Sequence, residues 1–218
     1  MPKNPKTGET GAPPPDQTLL PLREAAAGCT ACDLWKRGTQ TVFGEGPAQA
    51  RIMLIGEQPG DLEDRTGRPF VGPAGGLLDA ALEEAGISRA QVYVTNAVKH
   101  FKWEPRGKRR IHKKPNAAEM TACRPWLEAE MKLIQPKVTI CLGATAAQTL
   151  LGKDFRITGR RGEPIPSPWG GRIFATIHPS SILRIEDEAD RLRARAGFVS
   201  DLSIAAKELL RGATEIGI

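Results

Sequence analysis

The sequence predicts a three-layer α/β/α sandwich around a small parallel sheet of about four strands. Two observations lead there. Four short, almost wholly apolar runs recur along the chain, and segments of helical periodicity separate them. A run that is apolar on both faces suits a strand covered on both sides, as in a parallel sheet. Regular alternation of such strands with helices gives the layered architecture. The first strand is Arg51–Gly56 (RIMLIG), and a helix follows from about Gly75 to Ala85. The second strand is Val92–Val98 (VYVTNAV). The next helix, Ala117–Ile134, is announced by Pro115-Asn116 with Glu119 three residues on, an N-terminal capping pattern. The third strand is Lys137–Gly143 (KVTICLG), with a helix over Ala144–Leu151. The fourth strand is Arg172–His178 (RIFATIH), and a charged amphipathic helix closes the chain over roughly Glu186–Leu210.

A chain of 218 residues is long enough for one sizeable core. The expected organisation is a disordered tail over residues 1–17, rich in Pro, Gly and charge, and a single domain over 18–218. No apolar run reaches the roughly 18 residues that a membrane helix needs. The N-terminal segment has no hydrophobic stretch of the secretory kind. A cytoplasmic monomer is the expectation. A reducing compartment disfavours structural disulfides, so the four cysteines call for another explanation.

The charge is concentrated. The chain holds 31 basic and 25 acidic residues, but eight of the basic ones fall in Lys99–Lys114 (KHFKWEPRGKRRIHKK), where Glu104 is the single acid. Outside this segment 23 basic residues face 24 acidic ones. A cationic segment of this density is a footprint for phosphates, and Lys108, Arg109 and Arg110 are its centre. Phe101, Trp103 and His112 are interleaved with the cations, and the segment lies between a strand and a helix, where active-site loops belong.

In open parallel sheets, ligands bind beyond the carboxyl ends of the strands. Glu57-Gln58-Pro59-Gly60-Asp61 follows the first strand, and Asn96 closes the core of the second. Gly143-Ala144-Thr145 follows the third, and His178-Pro179-Ser180-Ser181 the fourth. Each of Glu57, Asn96 and His178 also suits an ordinary turn or cap. Their common placement at the strand ends is what favours a site. Among the cysteines, Cys29 and Cys32 form a CxxC pair, which alone fits zinc, redox chemistry or no ligand. Cys141 lies inside an apolar strand and is expected to pack as a small hydrophobe.

Several motifs carry a family resemblance. GEQPGDLEDRTGRPFVGPAGGLLDAAL (56–82), VTNAVKH (94–100), ACRPWL (122–127) and HPSSILR (178–184) resemble motifs of the iron–sulfur branch of the uracil-DNA glycosylase superfamily. GEQPG together with KRRIHKKP (108–115) is similar to its UdgX class, whose members cross-link to uracil-containing DNA. The resemblance covers roughly residues 20–210. It implies a 4Fe–4S cluster, commonly held by four thiolates. This chain has Lys99-His100 where relatives carry a Lys-Cys pair, so the expected ligands are Cys29, Cys32, Cys123 and His100.

The resemblance also implies roles in excising uracil from single- or double-stranded DNA and releasing the free base. The deoxyuridine must be extruded into a pocket. There Phe70 would stack on the base, and Gln58, Gly60 and Asp61 would line it. The Asn96 amide would match O4 and N3–H, and His178 would hydrogen-bond O2. Glu57 would face the oxocarbenium-like charge at C1′. The Ser180 and Ser181 amides would receive a phosphate, and Arg184 would enter the duplex or touch its backbone. His112 would attack C1′ in place of water, leaving a covalent adduct.

Overall fold

The computed structural model describes residues 11–14 and 18–214. Apart from 11–14, the expected disordered tail lies outside the described residues. The four expected strands form within one or two residues of their sequence bounds: β1 (Ile52–Gly56), β2 (Val92–Asn96), β5 (Val138–Leu142) and β7 (Arg172–Thr176). They run parallel in the order β2-β1-β5-β7. A two-residue strand, β6 (Ile165–Pro166), adds an antiparallel edge beyond β7.

Side-chain alternation sends successive strand residues to opposite faces, so each strand feeds two cores. On one face Leu54, Val94, Ile140 and Phe174 pack against α3 (Pro73–Glu84), α6 (Pro179–Leu183) and α7 (Glu188–Thr214). On the other, Met53, Ile55, Tyr93 and Cys141 pack against α4 (Ala117–Ile134) and α5 (Ala144–Leu151). The central residues of β1 are fully buried, each contributing about 1.5–3 kcal/mol of hydrophobic stabilisation. The three-layer expectation is met, and Cys141 sits in the core as expected. A satellite core joins α1 (Leu19–Ala27) to α4 through Leu22, Phe43 and Trp126.

The basic segment departs from expectation. It is not an irregular loop but a β-hairpin, β3 (Trp103–Arg106) paired with β4 (Arg109–His112) in its own two-stranded sheet. Gly107, at φ 60°, takes the first position of the two-residue turn, the place where glycine lets the turn follow the twist of the strands. A short helix, α2 (Asp61–Thr66), also went unread in the sequence.

Candidate active site

A cleft of about 830 Å³ opens over the carboxyl ends of β1, β5 and β7. Glu57, Asn96, His112 and His178 all line it, although they come from four separate parts of the chain. Gly56 makes this convergence possible. A Cβ there would lie 2.3 Å from Asn96 Oδ1 and 2.6 Å from the Phe70 ring. Asn96 is 2% exposed, yet its side-chain amide has no protein partner among the described residues, so its donor and acceptor face the cleft. Phe70 takes φ 55°, a left-handed backbone that costs a non-glycine residue energy. Its ring stacks beside His178, with centroids 6.0 Å apart.

His178 caps α6. Its Nδ1 accepts from the Ser180 backbone N–H at 3.1 Å, so the lone pair is on Nδ1 and the proton on Nε2. Burial, together with the nearby His112 and Arg184, pushes its pKa down to about 4. The ring is therefore neutral at pH 7 and offers an Nε2–H donor. The same contacts correct one expectation. The Ser180 amide is taken by His178 Nδ1 and the Ser181 amide by the His178 carbonyl at 2.8 Å, so neither is free for a phosphate.

Glu57 receives a hydrogen bond from Thr145 Oγ1, which fixes the carboxylate. Its other oxygen lies 3.6 Å from His112 Nε2. Burial lowers the His112 pKa, Glu57 opposes the shift and Arg184 assists it. The net direction leaves a neutral imidazole, the nucleophilic form, beside a carboxylate. Thr145 was passed over in the sequence. Its place in the strand-end segment after β5 was the available signal.

The hairpin is pinned by groups the sequence gave other roles. Gln58 lines the cleft, but its carboxamide binds the hairpin's two ends. Nε2 donates to the Lys102 and Lys113 carbonyls at 3.2 and 3.0 Å, and Oε1 accepts from the Lys102 amide at 3.1 Å. Arg110 turns inward. Its guanidinium pairs with Asp61 and, at 2.6 Å, with the fully buried Asp64, and it stacks on Phe101 and Trp103. Asp61 is thereby held by Arg110 and Arg65 at the cleft rim. Gly60 donates its amide to Glu63, which also receives the Gly72 amide and joins the two loops flanking the cleft.

The cationic patch is correspondingly smaller than the sequence suggests. Lys99 is buried against Glu130 at 2.5 Å, Lys102 pairs with Glu119 and Lys113 with Glu104. With Arg110 also occupied, Arg106, Lys108, Arg109 and Lys114 are left without an ion-pair partner among the described residues. Lys114 and Arg184 line the cleft itself.

The four expected metal ligands come together. Cys29, Cys32, His100 and Cys123 line one cavity between α1 and α4. The space is narrow, about 10 Å³, so the side chains around it must turn outward to admit a cluster. Among the described residues no three donors close on one point as a single ion requires. Two N–H groups aim at sulfur: Trp126 Nε1 at Cys29 and the Lys99 amide at Cys123, each 3.2 Å away. Burial pushes the Cys123 thiol up to about 12 and raises Cys32 too, so thiolates there call for a compensating metal charge. Burial lowers the His100 pKa, keeping that ring neutral. Thr41 Oγ1 gives its one proton to the Ala26 carbonyl and so accepts from His100 Nε2, which leaves a lone pair on Nδ1. The donor chemistry fits the group.

A mostly parallel sheet with an imidazole, a carboxamide and a carboxylate at its strand ends defines a class. Residues 43–203 match the Uracil DNA glycosylase superfamily, and the chain belongs to it. It is 44% identical over 164 residues to a type-4 uracil-DNA glycosylase of Thermotoga maritima, covering 75% of this chain and 82% of that one. It is 37% identical over 174 residues to a type-4 uracil-DNA glycosylase of Sulfurisphaera tokodaii, covering 76% of each. A type-5 uracil-DNA glycosylase of Thermus thermophilus is 34% identical over 158 residues, 64% of this chain and 68% of its own. Type-4 enzymes are iron–sulfur proteins, in agreement with the expected 4Fe–4S cofactor. No helix among the described residues is long and apolar enough to cross a membrane.

Proposed function

We propose that this protein excises uracil from DNA and, in the manner of the UdgX class, is then captured on the sugar through His112. One observation carries the covalent part: His112, half-buried and neutral, stands 3.6 Å from Glu57 in the cleft that also holds Asn96 and His178. The extruded uracil stacks on Phe70 and pairs with the unpartnered Asn96 amide. His178 gives its Nε2–H to O2 as the C1′–N1 bond breaks and its electron pair passes to the base. A neutral donor suits this role, because negative charge develops at the acceptor during the step. Glu57, held by Thr145, faces the cation at C1′. The lone pair of His112 then closes on C1′, and the imidazole proton on its other nitrogen passes through solvent to the departing uracil anion. The adduct has no good leaving group, so turnover ends there.

Cys29, Cys32, Cys123 and His100 would hold the cluster, which supplies a covalent staple between α1, α4 and the segment leading into the hairpin. The DNA backbone would follow the free cations Arg106, Lys108, Arg109 and Lys114, with Arg184 at the cleft. The type-4 relatives favour a second reading, in which water takes the place of His112 and the enzyme turns over. Denaturing electrophoresis with a uracil-containing oligonucleotide separates the two. Wild-type protein should form a one-to-one adduct resistant to heat and detergent, releasing one uracil per protein. His112→Ala should lose the adduct and excise uracil repeatedly. An adduct surviving in His112→Ala, or repeated turnover by the wild type, would overturn the covalent reading.

A further inference from the structure

Helix α2 is built inside out. Its sequence is DLEDRT, and its buried residues are Glu63 and Asp64, at 8% and 0% exposure, while its one large apolar side chain, Leu62, is 45% exposed. Ordinary burial preferences run the other way. The two acids are accounted for. Glu63 holds the Gly60 and Gly72 amides, and Asp64 accepts from the Thr39 amide and hydroxyl and from Arg110. These bonds fix the rotation of the helix, so Leu62 cannot turn inward without breaking them. Leu62 has no comparable internal reason to point outward.

Its position supplies one. Leu62 lines the cleft, on the rim that follows β1. Leu183, also 45% exposed, lines the rim that follows β7, while its neighbour Ile182 is completely buried. The cations Arg184 and Lys114 line the same cleft. A strand whose phosphates follow the cations turns its bases toward the apolar groups.

We propose that Leu62 is a specificity-determining residue that packs against the base next to the extruded nucleotide. The inference rests on the excision reading above. Extrusion from a duplex strips a neighbouring base of its stacking partner, and an apolar side chain that covers the bare face offsets part of that loss. A single strand has little stacking to lose. Leu62 therefore favours uracil in duplex over uracil in single-stranded DNA.

The test is single-turnover release of uracil by the full chain from single-stranded and duplex oligonucleotides of one sequence. Leu62→Ala should slow release from duplex about tenfold, equivalent to about 1.4 kcal/mol, and from single strand by less than about twofold. Leu62→Met, which restores apolar cover, should recover the duplex rate. Leu192→Ala, at an exposed leucine on α7, should change neither. Equal slowing of both substrates by Leu62→Ala would make it a structural residue and overturn the proposal, as would no slowing at all. Wild-type protein that releases uracil from neither substrate would defeat the excision reading itself, an outcome distinct from either of these.

Discussion

Replacing Arg110 with alanine separates a structural cation from a phosphate-binding one. In the fold, Arg110 is 14% exposed and joins the hairpin to α2 through Asp61 and Asp64. Asp61 is half-exposed, so its pair with Arg110 is worth about 0–1 kcal/mol. Asp64 is fully buried, and stripping the partner from a buried charge costs about 3–5 kcal/mol. The Thr39 amide and hydroxyl remain to solvate Asp64, which places the loss near the lower end, about 3 kcal/mol. For a chain of this size each kcal/mol lowers Tm by about 2–4 °C, giving a fall of about 6–12 °C. The hairpin should also loosen and adduct formation slow. The salt dependence of DNA binding should barely change, because Arg110 neutralises no phosphate. Lys108→Ala with Arg109→Ala should do the reverse. It should leave Tm nearly untouched and reduce the slope of log K against log salt by about 1.8, about 0.9 for each freed phosphate. Calorimetry and binding titrations from low to moderate salt read both quantities. If Arg110→Ala flattens the slope by about 0.9 with Tm unchanged, the inward pairing is not the working state of this residue.

Three further outcomes are expected. His178 has a folded pKa of about 4 against an ordinary value of 6.5, so below pH 6.5 the unfolded chain takes up a proton that the folded chain refuses. Stability should fall by on the order of 3 kcal/mol as pH drops from 6.5 to 4, and His178→Gln should reduce that slope in thermal melts. Gln58→Ala removes three hydrogen bonds at the hairpin base. It should lower the adduct rate about tenfold or more while uracil binding, followed by calorimetric titration with the free base, is less affected; equal losses would place Gln58 in the base pocket. Protein purified without oxygen should be brown, and His100→Ala should lose iron where Cys141→Ala keeps it; the opposite order would exclude His100 as a ligand.

What could be read in the sequence depended on how local each cause was. The parallel strands were legible because burial on both faces writes itself into five consecutive residues. Glu57, Asn96 and His178 were legible because each stands at or just beyond the carboxyl end of such a run. The hairpin was missed because its strands are charged and exposed and carry no apolar alternation. Its one local signal was Gly107 between Arg106 and Lys108. The neutralised half of the cationic segment was invisible for a different reason. The acids that engage Arg110 lie 46 and 49 residues earlier, and Glu130, which engages Lys99, lies 31 residues later. Net charge counts such pairs as free. Gln58 was assigned to the base pocket by the family resemblance of its turn, and nothing local reveals which way a carboxamide points.

The two-stranded hairpin has a consequence of its own. Asn96, Glu57 and His178 hang from a sheet whose shape is enforced by two hydrophobic layers, whereas His112 rides on a separate ribbon fastened mainly by polar contacts, those of Gln58, Arg110, Lys102 with Glu119, and the Trp103 indole with the Arg37 carbonyl. On the proposed mechanism, departure of the base and capture of the sugar thus belong to different pieces of the molecule. Lineages could refit the ribbon, lengthening it, dropping its histidine or trading its fastenings, while the scaffold beneath stayed as it was.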